Sequence, residues 1–295
     1  MSGVQAPPVH VPNSSGTAAP KLKAPAGACD CHMHIYDAAR FPPPRPDARM
    51  QPDATVPDYR LFQQRIGTSR TVIVNAAAYA TDNEVTLDAV AKLSAKLGNA
   101  YGIAVVVPSV TDAELKRLAD GGMRGIRFTQ FDPKTATTTL DMIEPLAKRV
   151  QGFGMHVQIH LRADQIVSAA DMLLRLPGIV VLDHLGRLTR EESIEHPAFN
   201  VIRRMLDGGR TWMKLSGAYM IAEQPDYTDA TKIARAYIEA APERMVWGSD
   251  WPHPTEKEKP DDAALFDLLT DWAPDDRTRH RILVDNPATL YNFKN

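Results

Sequence analysis

"ACDCHMH" (residues 28–34) is the first of a series of short apolar runs that decide the fold, and it ends in a pair of histidines. Alternate side chains of a β-strand share a face, so His32 and His34 are expected to point together, with Cys29 and Cys31 on the opposite face. Two cysteines at this spacing make no disulfide framework, and buried free cysteines usually serve as small packing residues. The segment therefore predicts a strand that presents two imidazoles on one face.

Seven similar runs follow, separated by segments whose apolar residues recur every three or four positions, as in amphipathic helices. The predicted strands cover residues 28–34, 70–77, 100–107, 123–129, 155–160, 178–184, 211–217 and 244–250. Strands that alternate with helices indicate a parallel sheet with right-handed crossovers, and eight of them favour closure into a barrel. No G-x-G-x-x-G follows the first strand, which argues against a dinucleotide-binding fold. We predict an α/β protein with one slightly distorted (β/α)8 TIM barrel over residues 27–295.

Residues 1–26 are rich in Pro, Ser, Gly and Ala and are predicted to form a flexible tail or an extended arm on the barrel surface. They lack the apolar stretch of a secretory signal, and the scarcity of cysteine favours a cytoplasmic location. No apolar run is long enough for a transmembrane helix. A formal net charge of −2 gives no indication of a nucleic-acid or membrane partner. The sequence leaves open whether the protein forms a homo-oligomer.

Polar side chains stand at the C-terminal ends of the predicted strands, the face on which TIM barrels carry their active sites. In chain order they are His32, His34, Tyr79, Arg127, His160, His184, Arg187, Ser216, Tyr219 and Asp250. Because these strand ends meet at one rim, we expect the side chains to converge there. The long loop of residues 35–57 is a candidate lid, and His253 belongs either to loop structure or to the wall of the site.

Three motifs carry a resemblance to a known family: "DCHMH" (30–34), "DHLGR" (183–187) and "WGSDWPHP" (247–254). In this order on successive strands they resemble the amidohydrolase superfamily, and within it the branch of lactone hydrolases. The resemblance extends over almost the whole chain after residue 26.

The resemblance implies roles for individual residues. Asp250 matches a general base that takes a proton from the hydrolytic water. His32, His34 and His184 match imidazoles that hold or polarise the lactone carbonyl, directly or through a metal. Arg127 matches an arginine that grips a substrate carboxylate. From their positions at the rim, and not from the resemblance, the remaining residues are expected to line the substrate site: His160, Tyr79, Ser216, Tyr219 and Arg187. Tyr79 and Tyr219 could instead simply pack.

Some lactone hydrolases of this branch act on a pyrone dicarboxylate, and the chain departs at three places from the residue pattern that the resemblance implies for them. "FTQFDPK" (128–134) has no second arginine, His160 stands in place of a tyrosine, and "KLSGAYM" (214–220) has no arginine. With fewer cationic anchors, the lactone of an aldaric or aldonic acid becomes a better expected substrate than a flat pyrone dicarboxylate.

Metal dependence stays open at this stage. On ligand type alone, His32, His34, His160 and Asp250 would satisfy a mononuclear zinc site, but the imidazoles could also act as hydrogen-bond donors without a metal. No lysine ends the fourth strand to bridge two metals, and no organic cofactor is indicated.

The sequence thus predicts a hydrolase that opens a small carboxylated lactone of the sugar-acid, pyrone or muconolactone type. A sugar-acid lactone isomerase of the galactarolactone type and a zinc-dependent decarboxylase are alternatives on the same scaffold. The presence of both the first H-x-H and the strand-eight aspartate favours water as the acceptor of the acyl group. A non-enzymatic barrel would tolerate the loss of Asp250 and of the rim histidines.

Overall fold

The structure is a computed structural model that describes residues 8–94, 98–189, 193–223 and 227–294. Eight parallel strands form one sheet in the order of the sequence. The strands are β1 (Cys29–Met33), β2 (Arg70–Val74), β3 (Ala100–Ala104), β4 (Met123–Thr129), β5 (His156–His160), β6 (Val180–Leu182), β7 (Thr211–Leu215) and β8 (Met245–Trp247). The segment after β8 returns to β1, where Asp250 N donates to His32 O at 2.7 Å. This contact brings the ends of the sheet together, and the predicted TIM barrel is confirmed.

Helices follow the strands and cover the outside of the barrel. They are α1 (Val56–Ile66), α2 (Glu84–Ser94), α3 (Asp112–Asp120), α4 (Leu140–Val150), α5 (Ala163–Ser168), α6 (Ala170–Arg175), α7 (Pro197–Asp207), α8 (Thr228–Ala240), α9 (Asp262–Trp272), α10 (Asp276–His280) and α11 (Asn286–Tyr291). Local sequence sets their ends: Thr111 caps α3 by accepting a hydrogen bond from Glu114 N, and Asp261 caps α9 in the same way. None of the helices in the described ranges is both long and apolar enough to cross a membrane.

Strand β1 contains an irregularity that the sequence pattern does not predict. Asp30 pairs with Thr71 and Met33 pairs with Ile73, so β1 has one residue more than β2 over this interval. Strict alternation of side chains is therefore interrupted, and the expected separation of cysteines and histidines onto opposite faces does not hold along the whole strand. Cys29 and Cys31 are free and fully buried, and they pack as small core residues as predicted.

The part of the N-terminal segment that the structure describes lies against the barrel as an arm. Val11 is buried, Pro12 O accepts a hydrogen bond from Trp251 Nε1 at 2.8 Å, and Arg65 of α1 donates to Ser14 Oγ at 3.0 Å. Residues 1–7 of the predicted tail lie outside the described residues. The boundary between tail and barrel at residue 26 stays a prediction.

The first loop (35–57) crosses the rim of the barrel. Tyr36 N donates to Ala54 O at 2.8 Å, which joins the two ends of the loop. Gln51 Nε2 donates to Pro254 O at 3.3 Å, so the middle of the loop reaches the segment after β8. These contacts place the loop beside the strand ends, and its role as a lid stays a prediction.

Candidate active site

Asp250 lies just after β8 and meets the predicted histidines at the mouth of the barrel. Its Oδ1 is 3.3 Å from His34 Nε2, 3.4 Å from His32 Nε2 and 3.8 Å from His184 Nε2. All four residues are buried. The convergence predicted from the strand ends is therefore present in the structure.

The backbone is strained at two of these four residues, Asp250 and His184. Asp250 has φ 63° and His184 has φ 52°, a left-handed conformation that residues with a Cβ seldom adopt. In "DHLGR" the left-handed turn continues through Leu185 and Arg187. Strain of this kind persists where the surrounding structure enforces it, and it is concentrated at functional sites.

The other ring nitrogens of the first two histidines are already engaged. His34 Nδ1 is 2.8 Å from Val74 O and must carry the proton there, because a carbonyl oxygen only accepts. His32 Nδ1 lies 3.2 Å from Asp183 Oδ1. His32 Nδ1 therefore has an acceptor, Asp183, and a donor, Lys214 Nζ at 3.5 Å, beside it. In its neutral form the His34 ring turns an unprotonated Nε2 towards the carboxylate of Asp250. Such an arrangement is unfavourable unless a proton or a cation lies between them.

Burial disfavours the doubly protonated, positively charged form of the His32 ring. It lowers the pKa of this imidazole to about 3, and the positive charge of Lys214 adds to the effect. Burial alone would raise the pKa of Asp250, but the imidazoles of His184, His34 and His32 together hold it well below its usual value. At neutral pH the Asp250 carboxyl is therefore ionised and the His32 ring is uncharged.

These residues fit a metal ion. Among the described residues, the ligand atoms of His32, His34 and Asp250 lie within 4.8 Å of one another, and so do those of His32, Asp183 and His184. Donors about 2.0–2.1 Å from a tetrahedral zinc would be roughly 3.3 Å apart, close to the Asp250–His32 and Asp250–His34 distances. His32 Nε2 is buried and has no hydrogen-bond partner in the part of the chain that is described. His160 belongs to neither group, so the geometry favours His32, His34 and Asp250 as the ligands, without His160.

A layer of buried polar residues beneath the site was not assigned a role from the sequence. Asp183 Oδ2 accepts from Arg127 Nε at 2.9 Å and from Gln158 Nε2 at 3.1 Å. Lys214 Nζ donates to Gln158 Oε1 at 2.7 Å and lies 3.5 Å from His32 Nδ1. Burial lowers the pKa of Lys214 to about 8. The available signals were a lysine inside the apolar run "TWMKLSG" (211–217) and the aspartate before His184.

Arg127 is buried and has its Nε committed to Asp183, while its Nη2 lies 3.4 Å from His160 Nδ1. The same side chain borders a pocket at the ends of β2 to β4 that is partly open to solvent. Hydroxyl groups dominate the polar lining of this pocket, from Thr129, Thr135, Thr137 and Thr138. Arg127 is thus positioned to meet an anionic group that enters the pocket.

His160 is oriented by its neighbours. Arginine only donates, so a hydrogen bond from Arg127 requires His160 Nδ1 to accept and leaves the proton of the neutral ring on Nε2. That Nε2 is buried and finds no hydrogen-bond partner within the described ranges. The ring stacks on Phe131, and the guanidinium of Arg187 lies 4.2 Å from the centre of the same Phe131 ring.

The three remaining predicted residues have partners within the protein. Tyr79 accepts a hydrogen bond from Asp37 N at 2.9 Å and so contacts the first loop. Ser216 Oγ is 3.0 Å from His184 Nδ1, and the Tyr219 hydroxyl donates to Asp250 Oδ2 at 2.6 Å. Burial and the charge of Asp250 raise the pKa of Tyr219 well above its usual value, so the hydroxyl stays protonated. Whether these residues also contact substrate stays a prediction.

The barrel and this site define an amidohydrolase, and the chain belongs to the Amidohydrolase family, whose profile matches residues 29–293. It is 34% identical over 276 residues to a 4-sulfomuconolactone hydrolase of Rhizobium radiobacter, with 90% of each chain covered. It is 33% identical over 284 residues to a 2-pyrone-4,6-dicarboxylate hydrolase of Comamonas testosteroni, with 92% of each covered.

A second kind of relative catalyses a different reaction. A D-galactarolactone isomerase of Agrobacterium fabrum is 29% identical over 286 residues, with 95% of each chain covered. The apo crystal structure of an Agrobacterium tumefaciens protein matches the fold with a TM-score of 0.86 and 28% identity, covering 94% of this chain and 97% of the other. The family, and the lactone-type substrates in the names of these three relatives, agree with the resemblance carried by the three motifs.

Proposed function

We propose that the protein hydrolyses a small carboxylated lactone, with Asp250 as the general base. The observation that carries the proposal is a single ionised carboxylate oxygen facing three imidazole nitrogens at 3.3 to 3.8 Å. Two relatives with more than 30% identity act as lactone hydrolases, which supports the same reaction class.

The reaction starts with the water. Asp250, ionised because its pKa is low, accepts a proton from the water whose oxygen attacks the lactone carbonyl carbon. When the ring C–O bond breaks, Asp250 returns that proton to the leaving alkoxide, and a hydroxy acid is formed. General base catalysis of this kind typically contributes about 10²- to 10⁴-fold to the rate.

Negative charge develops on the carbonyl oxygen during the attack and needs positive charge or hydrogen-bond donors nearby. A divalent metal such as zinc, held by His32, His34 and Asp250, would polarise the carbonyl and lower the pKa of a bound water. His160 can donate from its Nε2–H, which has no other partner among the described residues. Loss of one such donor typically costs about 3–4 kcal/mol of transition-state stabilisation.

The pocket beside Arg127 favours a hydroxylated substrate. Arg127 supplies the positive charge for one carboxylate, and the hydroxyl groups of Thr129 and Thr138 line the space next to it. Asp132 also lines this pocket, and its negative charge disfavours a second carboxylate there. A sugar-acid lactone suits this lining better than a flat dicarboxylate does.

A sugar-acid lactone isomerase is the second candidate, because such an enzyme is 29% identical over nearly the whole chain. The two functions differ in the acceptor of the acyl group, which is water in one case and a substrate hydroxyl in the other.

A lactone panel followed with a pH indicator tests the proposal. Hydrolysis releases one acid equivalent for each ring opened, isomerisation releases none, and decarboxylation releases carbon dioxide. We expect acid release from carboxylated sugar lactones, together with about one zinc per chain in the purified protein. Turnover without acid release would contradict hydrolysis, and full activity of a metal-free preparation would contradict the role of zinc.

A further inference from the structure

A buried chain of close polar contacts leads from the start of α9 to the carboxylate of Asp250. The two carboxylate oxygens of Asp262 lie 3.1 and 3.2 Å from His253 Nε2. His253 Nδ1 is 3.0 Å from the Tyr219 hydroxyl, which in turn donates to Asp250 Oδ2 at 2.6 Å. His253 and Asp262 are buried.

As a result of this series of contacts, the two carboxylate oxygens of Asp250 have different partners. Oδ2 is occupied by Tyr219, whereas Oδ1 faces His32, His34 and His184. Without the bond from Tyr219, the carboxylate could turn about its Cβ–Cγ bond, and Oδ1 would no longer be fixed opposite the imidazoles. The bond is short and charge-assisted, a type about twice as strong as one between neutral groups.

The far end of the chain is anchored as well. Asp262 N donates to Ser14 Oγ of the N-terminal arm at 3.3 Å, and the neighbouring Asp261 pairs with Arg65 of α1. His253 is fixed by the backbone too, since its N donates to Asp250 O at 2.8 Å. The loop after β7, the segment after β8 and the start of α9 are therefore joined by side chains that leave little freedom at the Tyr219 hydroxyl.

We propose that Tyr219 is a positioning residue for Asp250 and that His253 and Asp262 act with it as one unit. The inference rests on the proposed lactone hydrolysis. It differs from the substrate-contact role expected for Tyr219 from the sequence, and the two roles predict different kinetics. A positioning residue affects kcat, whereas a residue that only binds substrate affects KM.

The test compares Tyr219→Phe, Asp262→Asn and the double variant on a lactone that the unmodified enzyme hydrolyses. We expect Tyr219→Phe to lower kcat by about 10- to 100-fold, the size of effect that misplacement of a reacting group produces, with KM within about 2-fold of its original value. Because the residues act as a unit, the double variant should be no slower than the slower single variant. Tyr291→Phe, which removes a buried hydroxyl at the opposite end of the barrel, is the matched control and should keep full activity.

Two further measurements keep the outcome unambiguous. Calorimetric binding of the ring-opened product should be within about 2-fold of the original affinity in Tyr219→Phe, and thermal unfolding shows that each variant is folded. If Asp262→Asn does not fold, His253→Gln takes its place in the cycle. A raised KM with unchanged kcat, or losses that multiply in the double variant, would overturn the inference while the proposed function stands. An enzyme that hydrolyses no lactone would remove both.

Discussion

Asp250 Oδ1 is the atom on which the chemistry depends, because the three imidazole nitrogens face this one oxygen. Asp250→Asn keeps the shape of the side chain but removes its basicity. We expect kcat to fall by about 10³-fold with an unchanged circular dichroism spectrum. Asp120→Asn, at an exposed carboxylate at the end of α3, is the control. Near-normal turnover of Asp250→Asn would refute the general-base role.

Arg127 combines a structural and a binding role. In Arg127→Met, KM should rise for carboxylated lactones and change little for uncharged ones, because only the former lose a charged partner. The variant should also be destabilised by about 3 kcal/mol, since Asp183 loses the nearer of its two cationic neighbours. Initial rates on both classes of lactone, with urea unfolding, separate the two effects. An equal rise in KM for both classes would contradict the anchor role.

At the scale of single residues, the sequence was informative where chemistry and strand position coincide. His32, His34, His184 and Asp250 could be found because each follows or ends an apolar strand. The buried layer could not be found in this way. The position of Lys214 against Gln158 depends on which strands are neighbours inside the closed barrel, and no local pattern encodes that.

At the scale of elements, one hydroxyl of the N-terminal arm joins the arm to both α1 and the start of α9. Ser14 Oγ accepts from Arg65 Nη1 and from Asp262 N, so Ser14→Ala leaves two donors without that acceptor. We expect a loss of about 1–3 kcal/mol in the free energy of unfolding. Ser15→Ala is the control, because that side chain is exposed, and it should change stability by less than about 0.5 kcal/mol. Equal melting temperatures for the two variants would show that the arm contact is not stabilising.

The eight strands and their order were predictable from apolar runs and helix spacing, because both are local properties of the chain. Two features of the elements were not. The extra residue in β1 between Asp30 and Met33 arises from its pairing with β2, and the course of the arm depends on contacts with Trp251 and Arg65. Pairing register and long-range contacts are properties of the folded chain.

At the scale of the whole molecule, closure of the barrel brings the first and last strands together at the site. Gly248 follows β8, and a Cβ there would lie 2.7 Å from His32 Cβ and 2.9 Å from His32 N. Gly248→Ala should therefore push His32 away from Asp250 and lower kcat by about 10²-fold. Gly152→Ala, where a Cβ meets no atom within 4 Å, is the matched control. An unchanged kcat in Gly248→Ala would mean that the backbone at the contact between Gly248 and His32 adjusts without moving His32 from Asp250.

The same junction has a consequence for how activity arises. Asp30 accepts hydrogen bonds from Ser249 N at 2.9 Å and Ser249 Oγ at 2.7 Å, so both sides of the junction are needed to complete it. A nascent polypeptide emerging from the ribosome would display its histidine pair early but would gain a working centre only when the final strand docks. The first turnover of a newly made molecule would thus report the end of its folding.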